Sequence, residues 1–329
     1  MLESIGSARI EGNRTTISEY VEKKISETEI KEEQYSEIAN VEKAMEYIED
    51  SIDKDTVITN QFIRELHYLT VCDLEQEGDR TPGAYRTWQV GIAKSNHCPP
   101  EHYLVQEYMD DLLSFINEES SNKHELLKIA QAHHRFTWIH PFGNGNGRTV
   151  RLLTYALLIK YGFNVKEGGL LNPSAVFFND RDKYYEMLNV ADKGDDESIL
   201  AWTEYVLSGI LEEIEKISKL TNYKFLSEKI LLPAIKHAKG RGIVNDKEEK
   251  ILLIGIAKQV FLAKDITSSG IGLTSRQVTS TIATLKENEL ILPLEEKGRK
   301  YSINFISSYL LRSVIIMLEK EEFIPEIDR

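Results

Sequence analysis

The sequence of 329 residues predicts a mainly α protein that contains more than one domain. Over the first two-thirds of the chain, apolar residues recur at helical spacing, and one short stretch, 81–92, departs from that pattern. The last third predicts helix, turn, helix, strand, turn and strand, which is the order of a winged helix-turn-helix. We therefore expect an N-terminal helical region at 1–55, a helical domain at 56–220 and a winged-helix domain at 221–329.

The helices of the first two-thirds follow from this spacing. Glu and Lys residues between 17 and 50 surround apolar residues at helical intervals, which is typical of an amphipathic helix with a solvated face. Thr59 is a suitable N-cap for a helix that ends near Val71. Pro141 marks a helix boundary, because the residue before a proline is disfavoured in the α region. Further helices are expected at about 101–117, 124–139, 146–161, 174–193 and 197–219.

Two regions are expected to contain strands. The Pro82-Gly83 turn precedes alternating larger residues through Ile92, and this pattern predicts a short β-hairpin. In the last third, two short strands are expected after two helices. The helices are predicted at 248–261 and 274–285, and the strands at 290–294 and 300–304.

The charges of the C-terminal domain leave the nature of its partner open. Several basic residues there could contact DNA, namely Arg276, Lys286, Lys297, Arg299 and Lys300. Four glutamates dilute that charge, namely Glu287, Glu289, Glu295 and Glu296. Protein recognition, or pairing into a homo-oligomer, is therefore as consistent with this domain as DNA binding.

Composition favours an intracellular protein. The formal net charge of -13 opposes non-specific binding to nucleic acid or to an anionic membrane surface. No apolar run approaches the roughly 20 residues of a membrane-spanning helix, and the N-terminus lacks the features of a signal peptide. The two cysteines, Cys72 and Cys98, suit a reducing compartment. We expect a cytoplasmic location.

The stretch 140–151, HPFGNGNGRTVR, places a histidine, a glycine-rich turn and two arginines within twelve residues. A histidine can accept a proton near neutral pH. Glycines allow backbone amides to approach an anion, and a helix N-terminus attracts one. Arg148 and Arg151 lie three residues apart and share one helix face, where they can bind phosphate oxygens. The combination indicates phosphate chemistry.

This stretch resembles the signature of Fic-domain proteins, H-P-F-x-(D/E)-G-N-G-R-x-x-R. Every position matches except the acidic one, which is Asn144. The similarity extends over most of 60–210 and includes Pro82-Gly83-x-Tyr85-Arg86 through Ile92, which resembles the flap hairpin of the family. The resemblance implies an all-helical core and a flap that positions the target segment through Val90, Gly91 and Ile92.

The resemblance also implies a reaction, the transfer of AMP from ATP to a Ser, Thr or Tyr hydroxyl of a protein. His140 would be the base, and Arg151 would bind the γ-phosphate. Asn144 would hold Mg²⁺ or Mn²⁺ only weakly, directly or through water, because an amide brings no negative charge. The other implied phosphate-binding residues are Gly145, Asn146, Gly147 and Arg148. The implied adenine pocket consists of Tyr184, Tyr185 and Asp192.

The N-terminal stretch SARIEGN resembles the inhibitory motif of the same family, (S/T)-x-x-x-E-(G/N). Its motif residues here are Ser7, Glu11 and Gly12. The resemblance implies that Glu11 pairs with Arg151 and occupies the position of the γ-phosphate. We expect AMP transfer to the chain itself and to a target protein to be inhibited by this contact.

An alternative function belongs to a different class. The chain could be a DNA-binding regulator whose Fic-like core senses a nucleotide and is catalytically weak. Asn144 favours this alternative, whereas His140 and the two arginines favour the enzyme.

Overall fold

A computed structural model describes residues 2–15, 19–20, 32–92, 97–119, 121, 124–163, 175–295, 298–306 and 309–323. The chain divides into two compact units. One comprises Met1–Thr15 with Ile30–Ile217, and the other comprises Thr16–Glu29 with Ser218–Arg329. The division into two units does not test the three predicted domains, which stay a prediction.

Nine helices that the structure describes begin in the first unit, and α9 ends in the second. Thr59 caps α3 as predicted, since its side chain accepts a hydrogen bond from the Phe62 amide at 3.1 Å. A 3₁₀ turn, His102–Leu104, leads into α4. The helices are α1 Leu2–Ile10, α2 Glu33–Ser51, α3 Asn60–Val71, α4 Val105–Asn117, α5 Glu125–Ile139, α6 Asn146–Lys160, α7 Ala175–Phe178, α8 Arg181–Ala191 and α9 Asp196–Thr221.

The core of the first unit surrounds α6. This helix is buried on nearly all sides from Asn146 to Ile159, as its apolar sequence requires. It packs against α3 and α5, which supply Leu66 and Phe136 to the core. Because Arg148 and Arg151 lie on this buried helix, their charges need polar partners inside the protein.

The N-terminal helix α1 is part of this unit. Ile5, Ala8 and Ile10 are buried, and Ile10 belongs to an aromatic cluster with Phe177 and Trp202. Burying large aliphatic side chains stabilises their position by about 2 kcal/mol each. Hydrophobic contacts therefore position α1 beside α6.

The structure confirms the mainly α fold but differs from the sequence-based expectation in two places. Residues 81–92 form turns and bends, and no strand is assigned within them. The physical reason is that this segment bonds to the loop after α5, where the Arg86 amide donates to the Pro141 carbonyl at 2.9 Å. The helix expected at 174–193 is interrupted, because Asp180 caps a new helix by accepting from the Lys183 amide at 2.9 Å.

The second unit contains short helices and a three-stranded sheet. After a π-helical segment, Leu226–Leu231, the chain follows the predicted order of helix, turn, helix, strand, turn and strand, with an additional strand β1 and helix α13. The elements are α10 Tyr223–Phe225, α11 Leu232–Gly240, α12 Asp246–Lys258, β1 Phe261–Leu262, α13 Ala263–Ser268, α14 Ser275–Glu287, β2 Ile291–Pro293, β3 Lys300–Ile303 and α15 Leu310–Lys320.

The sheet has the antiparallel order β1-β3-β2, with Phe261 opposite Tyr301 and Ile291 opposite Ile303. Apolar residues of α12 and α14 cover one side of it, among them Ile251 and Leu285. Lys297, one of the predicted basic residues, lies outside the described residues. None of the described helices is long and apolar enough to cross a membrane.

Candidate active site

The loop between α5 and α6 carries the predicted motif. His140 ends α5 in the left-handed conformation, with φ of 51°. Gly145 precedes α6 with φ of 73°, and a Cβ at this position would collide with Val71, so glycine is required here. Asn146 closes the loop, because its side-chain amide accepts from the Phe142 amide and donates to the Phe142 carbonyl, both at 2.9 Å.

Two buried residues from outside the motif position this loop. The amide of Gly83 donates to Nδ1 of His67 at 3.0 Å, so the ring proton lies on Nε2, which donates to the Asn144 carbonyl at 3.0 Å. Burial lowers the pKa of His67 to about 4, so its ring is neutral at neutral pH. The carboxylate of Asp79 accepts from the Asn144 amide at 2.7 Å. The neutral His67 ring and the Asp79 carboxylate thus hold the carbonyl and the amide of Asn144 in place.

Arg86 positions the backbone at His140. Its guanidinium donates to the carbonyls of His140 at 2.8 Å, Pro100 at 2.5 Å and Trp88 at 3.2 Å. The side chain is only 2% exposed. An arginine suits this place because its rigid, fork-shaped group can satisfy several carbonyls at once.

His140 has the properties of a base. Burial lowers its pKa to about 4, although the Thr137 carbonyl acts in the opposite direction, and Arg86 lowers the pKa further. The imidazole is therefore neutral at neutral pH and has a lone pair that can accept a proton.

Among the described residues, the hydrogen bonds of the Arg151 side chain all go to the N-terminal motif. Its Nε donates to the Ser7 hydroxyl at 2.9 Å, and Nη2 donates to the Ser7 carbonyl at 2.9 Å and to the Glu11 carboxylate at 2.7 Å. Burial acts to raise the pKa of Glu11, but Arg151 and Arg148 outweigh it, so the pKa lies below its ordinary value and the carboxylate is ionised. The contact predicted between Glu11 and Arg151 is present.

The carboxylate of Glu11 lies at the N-terminus of α6. A Cβ on Gly147, the second residue of that helix, would collide with the Glu11 carboxylate. A helix N-terminus attracts an anion through its free amides and its dipole. Glu11 therefore occupies the place where the sequence predicts an anionic ligand.

Arg148 has a different set of partners. Its Nη1 lies 3.1 Å from the Glu37 carboxylate, and its Nη2 donates to the Glu77 carbonyl at 2.7 Å. Both Arg148 and Glu37 are buried, with side-chain exposures of 1% and 4%. Burial raises the pKa of Glu37 above its ordinary value, and Arg148 only partly opposes that effect.

The side chain of Asn144 takes part in the loop structure. Its Nδ2 donates to the Gly78 carbonyl at 3.0 Å, and its Oδ1 accepts from the Gly145 amide at 2.8 Å. Asp79, the buried carboxylate beside it, accepts from the Asn144 and Thr81 amides. Within the part of the chain that the structure describes, no group of three or more His, Cys, Asp or Glu residues could hold a metal ion.

The remaining predicted residues lie in varied surroundings. Val90 and Ile92 are partly exposed and Gly91 is exposed. Tyr184 is a core residue, 2% exposed, whose hydroxyl lies 3.0 Å from Nε2 of His133. The two other residues expected in the adenine pocket are more accessible. Tyr185 is 38% exposed, and Asp192 contacts His134 at 3.0 Å.

Sequence reasoning missed four residues that shape the site. His67, Asp79 and Glu37 belong to no local pattern, since they meet the loop or Arg148 only through the fold. Arg86 was noted as part of the Pro-Gly-x-Tyr-Arg stretch without a role. A buried arginine after a turn is itself a signal, because its charge requires several acceptors.

Comparison with known proteins identifies the domain that carries this loop. A family model described as the Fic/DOC family matches residues 57–158. These residues form a Fic/DOC family domain. The match includes α3, α5 and most of α6, and therefore His140 and both arginines.

Curated relatives resemble the chain over more than half of its length. The chain is 32% identical over 194 residues to the "Protein adenylyltransferase Fic" of Nematostella vectensis, covering 57% of this chain and 42% of the relative. The protein of the same name from Drosophila willistoni is 32% identical and is covered to 36%. The chain thus spans less than half the length of these relatives.

Solved structures show the same fold. A Fic family protein from Desulfovibrio desulfuricans superposes with a TM-score of 0.54 at 22% identity, covering 92% of this chain and 86% of the other. A Fic domain-containing signaling protein from Bacteroides thetaiotaomicron gives a TM-score of 0.55 at 22% identity, covering 66% and 85%.

Proposed function

We propose that this protein is a self-inhibited protein adenylyltransferase, which transfers AMP from ATP to a hydroxyl group of a protein. One observation carries the proposal. A partly buried, neutral His140 lies at one end of a glycine loop, and Arg151 lies on the helix that this loop begins. The name of the curated relatives supports the same reaction.

In the proposed reaction, His140 accepts the proton of a Ser, Thr or Tyr hydroxyl while that oxygen attacks the α-phosphorus of ATP. A new P–O bond forms, the bond from the α-phosphorus to the bridging oxygen breaks, and pyrophosphate leaves with the electron pair. Proton removal by a positioned base typically contributes about 10²–10⁴-fold. The proton ends on His140 and the AMP on the protein oxygen.

The loop and the helix contribute charge and position. The free amides at the N-terminus of α6, including that of Gly147, attract the phosphates of ATP. Arg151 binds the γ-phosphate once Glu11 has left, and Arg148 binds a phosphate oxygen nearby. Positioned charges of this kind supply most of the rate in phosphoryl transfer.

A metal ion fits poorly among the residues at this loop. Asn144 would be the ligand by resemblance, but its oxygen already accepts the Gly145 amide. Asp79 is likewise engaged by two backbone amides. The proposal therefore includes no step through a protein-held metal.

Inhibition by Glu11 completes the proposal. Its carboxylate satisfies Arg151 and the positive end of α6, so a γ-phosphate cannot bind there at the same time. Ser7 strengthens the block because it provides two further acceptors for the same guanidinium. Gly12, with φ of 109°, allows the chain to turn directly after Glu11.

The test is incubation with ATP labelled at the α-phosphate. We expect the Glu11→Gly variant to label itself far more than the wild type, and we expect His140→Ala in the same background to abolish the labelling. If neither the wild type nor the Glu11→Gly variant becomes labelled although both bind ATP, the transferase is disproved and a nucleotide sensor is left.

We further propose that the C-terminal unit is a winged-helix module that binds DNA or a protein. The support is its topology and the exposed surface of α14, which includes Arg276, Thr279 and Ser280. Binding to random DNA fragments that persists as salt is raised would favour the DNA-binding regulator. Binding that vanishes with salt would favour a protein partner or self-association.

The cellular location and the protein substrates are also proposals. Cys72 and Cys98 are both free thiols, which supports a reducing compartment such as the cytoplasm. We propose the chain itself as one substrate, together with a separate target protein whose identity a labelled lysate would reveal.

A further inference from the structure

The pairing of Glu37 with Arg148 parallels that of Glu11 with Arg151. In each pair, a carboxylate from an element outside the Fic loop contacts a buried arginine of α6. Glu37 belongs to α2 and lies outside the matched family region. The two arginines differ, however, in how completely their donors are used.

Arg151 donates well-aligned hydrogen bonds to Ser7 and Glu11, whereas Arg148 does not use all of its donors. Its Nε and Nη1 have no hydrogen-bond acceptor among the described residues, although Nη1 lies 3.1 Å from Glu37. The facing Oε1 of Glu37 likewise accepts no hydrogen bond there. Glu37 thus offsets the charge of Arg148 without meeting its directional requirements, and buried donors without acceptors are costly.

A phosphate oxygen would satisfy Arg148 better than Glu37 does. It brings negative charge together with several acceptor positions that can align with a planar guanidinium. The contact with Glu37 is therefore of a kind that a bound triphosphate can replace.

Asn13 connects this pair to the N-terminal motif. Its Nδ2 donates to Oε2 of Glu37 at 2.7 Å and to the Gln34 carbonyl at 2.8 Å. Asn13 follows Glu11 by two residues, and its amide bonds to the Ala8 carbonyl at 3.1 Å. Movement of Glu11 away from Arg151 would consequently carry Asn13 away from Glu37.

We propose that Glu37 is a second inhibitory carboxylate, which occupies Arg148 as Glu11 occupies Arg151, and that Asn13 couples the release of the two. This inference rests on the proposed function for the identity of the ligand, a nucleoside triphosphate. Glu37 of α2 and Asn13, the residue after the motif, would then help to set how strongly ATP is excluded.

The experiment measures both binding and transfer in the full chain. Binding of a non-hydrolysable ATP analogue is followed by calorimetry, and transfer by labelled AMP. In a Glu11→Gly background, we expect Glu37→Gln to raise the affinity for the analogue about fivefold to tenfold, a typical coupling between two sites. Glu33→Gln is the matched control, because it removes the same charge one turn earlier on α2, where Glu33 bonds only backbone amides among its described hydrogen bonds.

A second variant avoids any change of buried charge. Asn13→Ala, with Glu11 intact, should raise label incorporation several-fold, whereas Arg14→Ala at the exposed neighbouring position should not. Thermal unfolding of each variant shows that the comparison is made between folded proteins.

The possible outcomes separate the two proposals. If Glu37→Gln lowers the affinity, or leaves it equal to that of Glu33→Gln, Glu37 is not inhibitory and the inference is wrong. If no variant binds the analogue, it is also wrong. If the variants bind the analogue in the expected order but none transfers AMP, the inference stands and the adenylyltransferase proposal fails.

Discussion

The two sides of the Fic loop are stabilised in different ways. On the backbone side, His67, Asp79 and Arg86 bond to main-chain groups of the loop. On the helix side, Arg148 and Arg151 contact the side-chain carboxylates of Glu37 and Glu11. Main-chain partners are always present, whereas a carboxylate can be replaced by another anion. The loop therefore has a permanent framework on one side and exchangeable contacts on the other.

Substitution of Arg86 should produce the largest effect, because it removes the framework. Lysine cannot replace the three guanidinium contacts with His140, Pro100 and Trp88, so buried carbonyls lose their donors. We expect Arg86→Lys to lower the free energy of unfolding by about 3 kcal/mol and to reduce labelling in the Glu11→Gly background. Chemical denaturation measures the first and labelled ATP the second.

Arg80→Lys is the control for this change, because Arg80 is exposed on the approach to the same segment. Equal stability of the two lysine variants would show that Arg86 is not part of the framework.

Substitution of Ser7 should have the opposite effect on activity. Ser7→Ala removes the hydroxyl that accepts from Arg151 but leaves Glu11 in place. We expect the free energy of unfolding to fall by about 1 kcal/mol, as measured by denaturation, because a hydrogen bond is lost. Incorporation of labelled AMP should rise, because an exchangeable contact has been weakened. Ser51→Ala, at an exposed position, should change neither quantity. A fall in labelling would place Ser7 in the framework instead.

The pH dependence of transfer tests His140 directly. A base must be unprotonated, and burial lowers the pKa of His140 to about 4, so activity should fall only as pH drops toward that value. Removing Glu11 should lower the pKa further, because Glu11 favours the charged imidazole. Rates of the Glu11→Gly variant should therefore be level from about pH 8 to 6. A decline centred near pH 6.5, the ordinary pKa of histidine, would contradict a base whose pKa is lowered by its surroundings.

Substitution of Asn144 should have a small effect. Asn144→Asp exchanges the donor to the Gly78 carbonyl for a second acceptor and brings a charge near Asp79. In the absence of nucleotide, we expect the free energy of unfolding to fall by about 1 kcal/mol, as measured by chemical denaturation. We also expect a lower requirement for Mg²⁺ or Mn²⁺ in transfer, because the new carboxylate can bind metal. Unchanged stability would show that the Gly78 contact contributes little.

Local sequence patterns were sufficient for most of the helices, and the resemblance to Fic-domain proteins was sufficient for the contact between Glu11 and Arg151. They were insufficient where the fold brings distant residues together. His67 lies 77 residues from Asn144, and Asp79 lies 65 residues from it. The alternation at 81–92 was also misleading, since it reflects a segment that bonds to the loop near His140 and not a pair of strands.

The Glu11 carboxylate lies so close to Gly147 that a Cβ at this position would collide with it. Glu11 is attached to the same chain as the site it fills, so it behaves as a competitor at a constant effective concentration, whatever the amount of protein present. Dilution cannot relieve such a block. Rising ATP can, as can any binding event that draws α1 away, and the threshold for either is set by the free energy with which α1 packs onto its core.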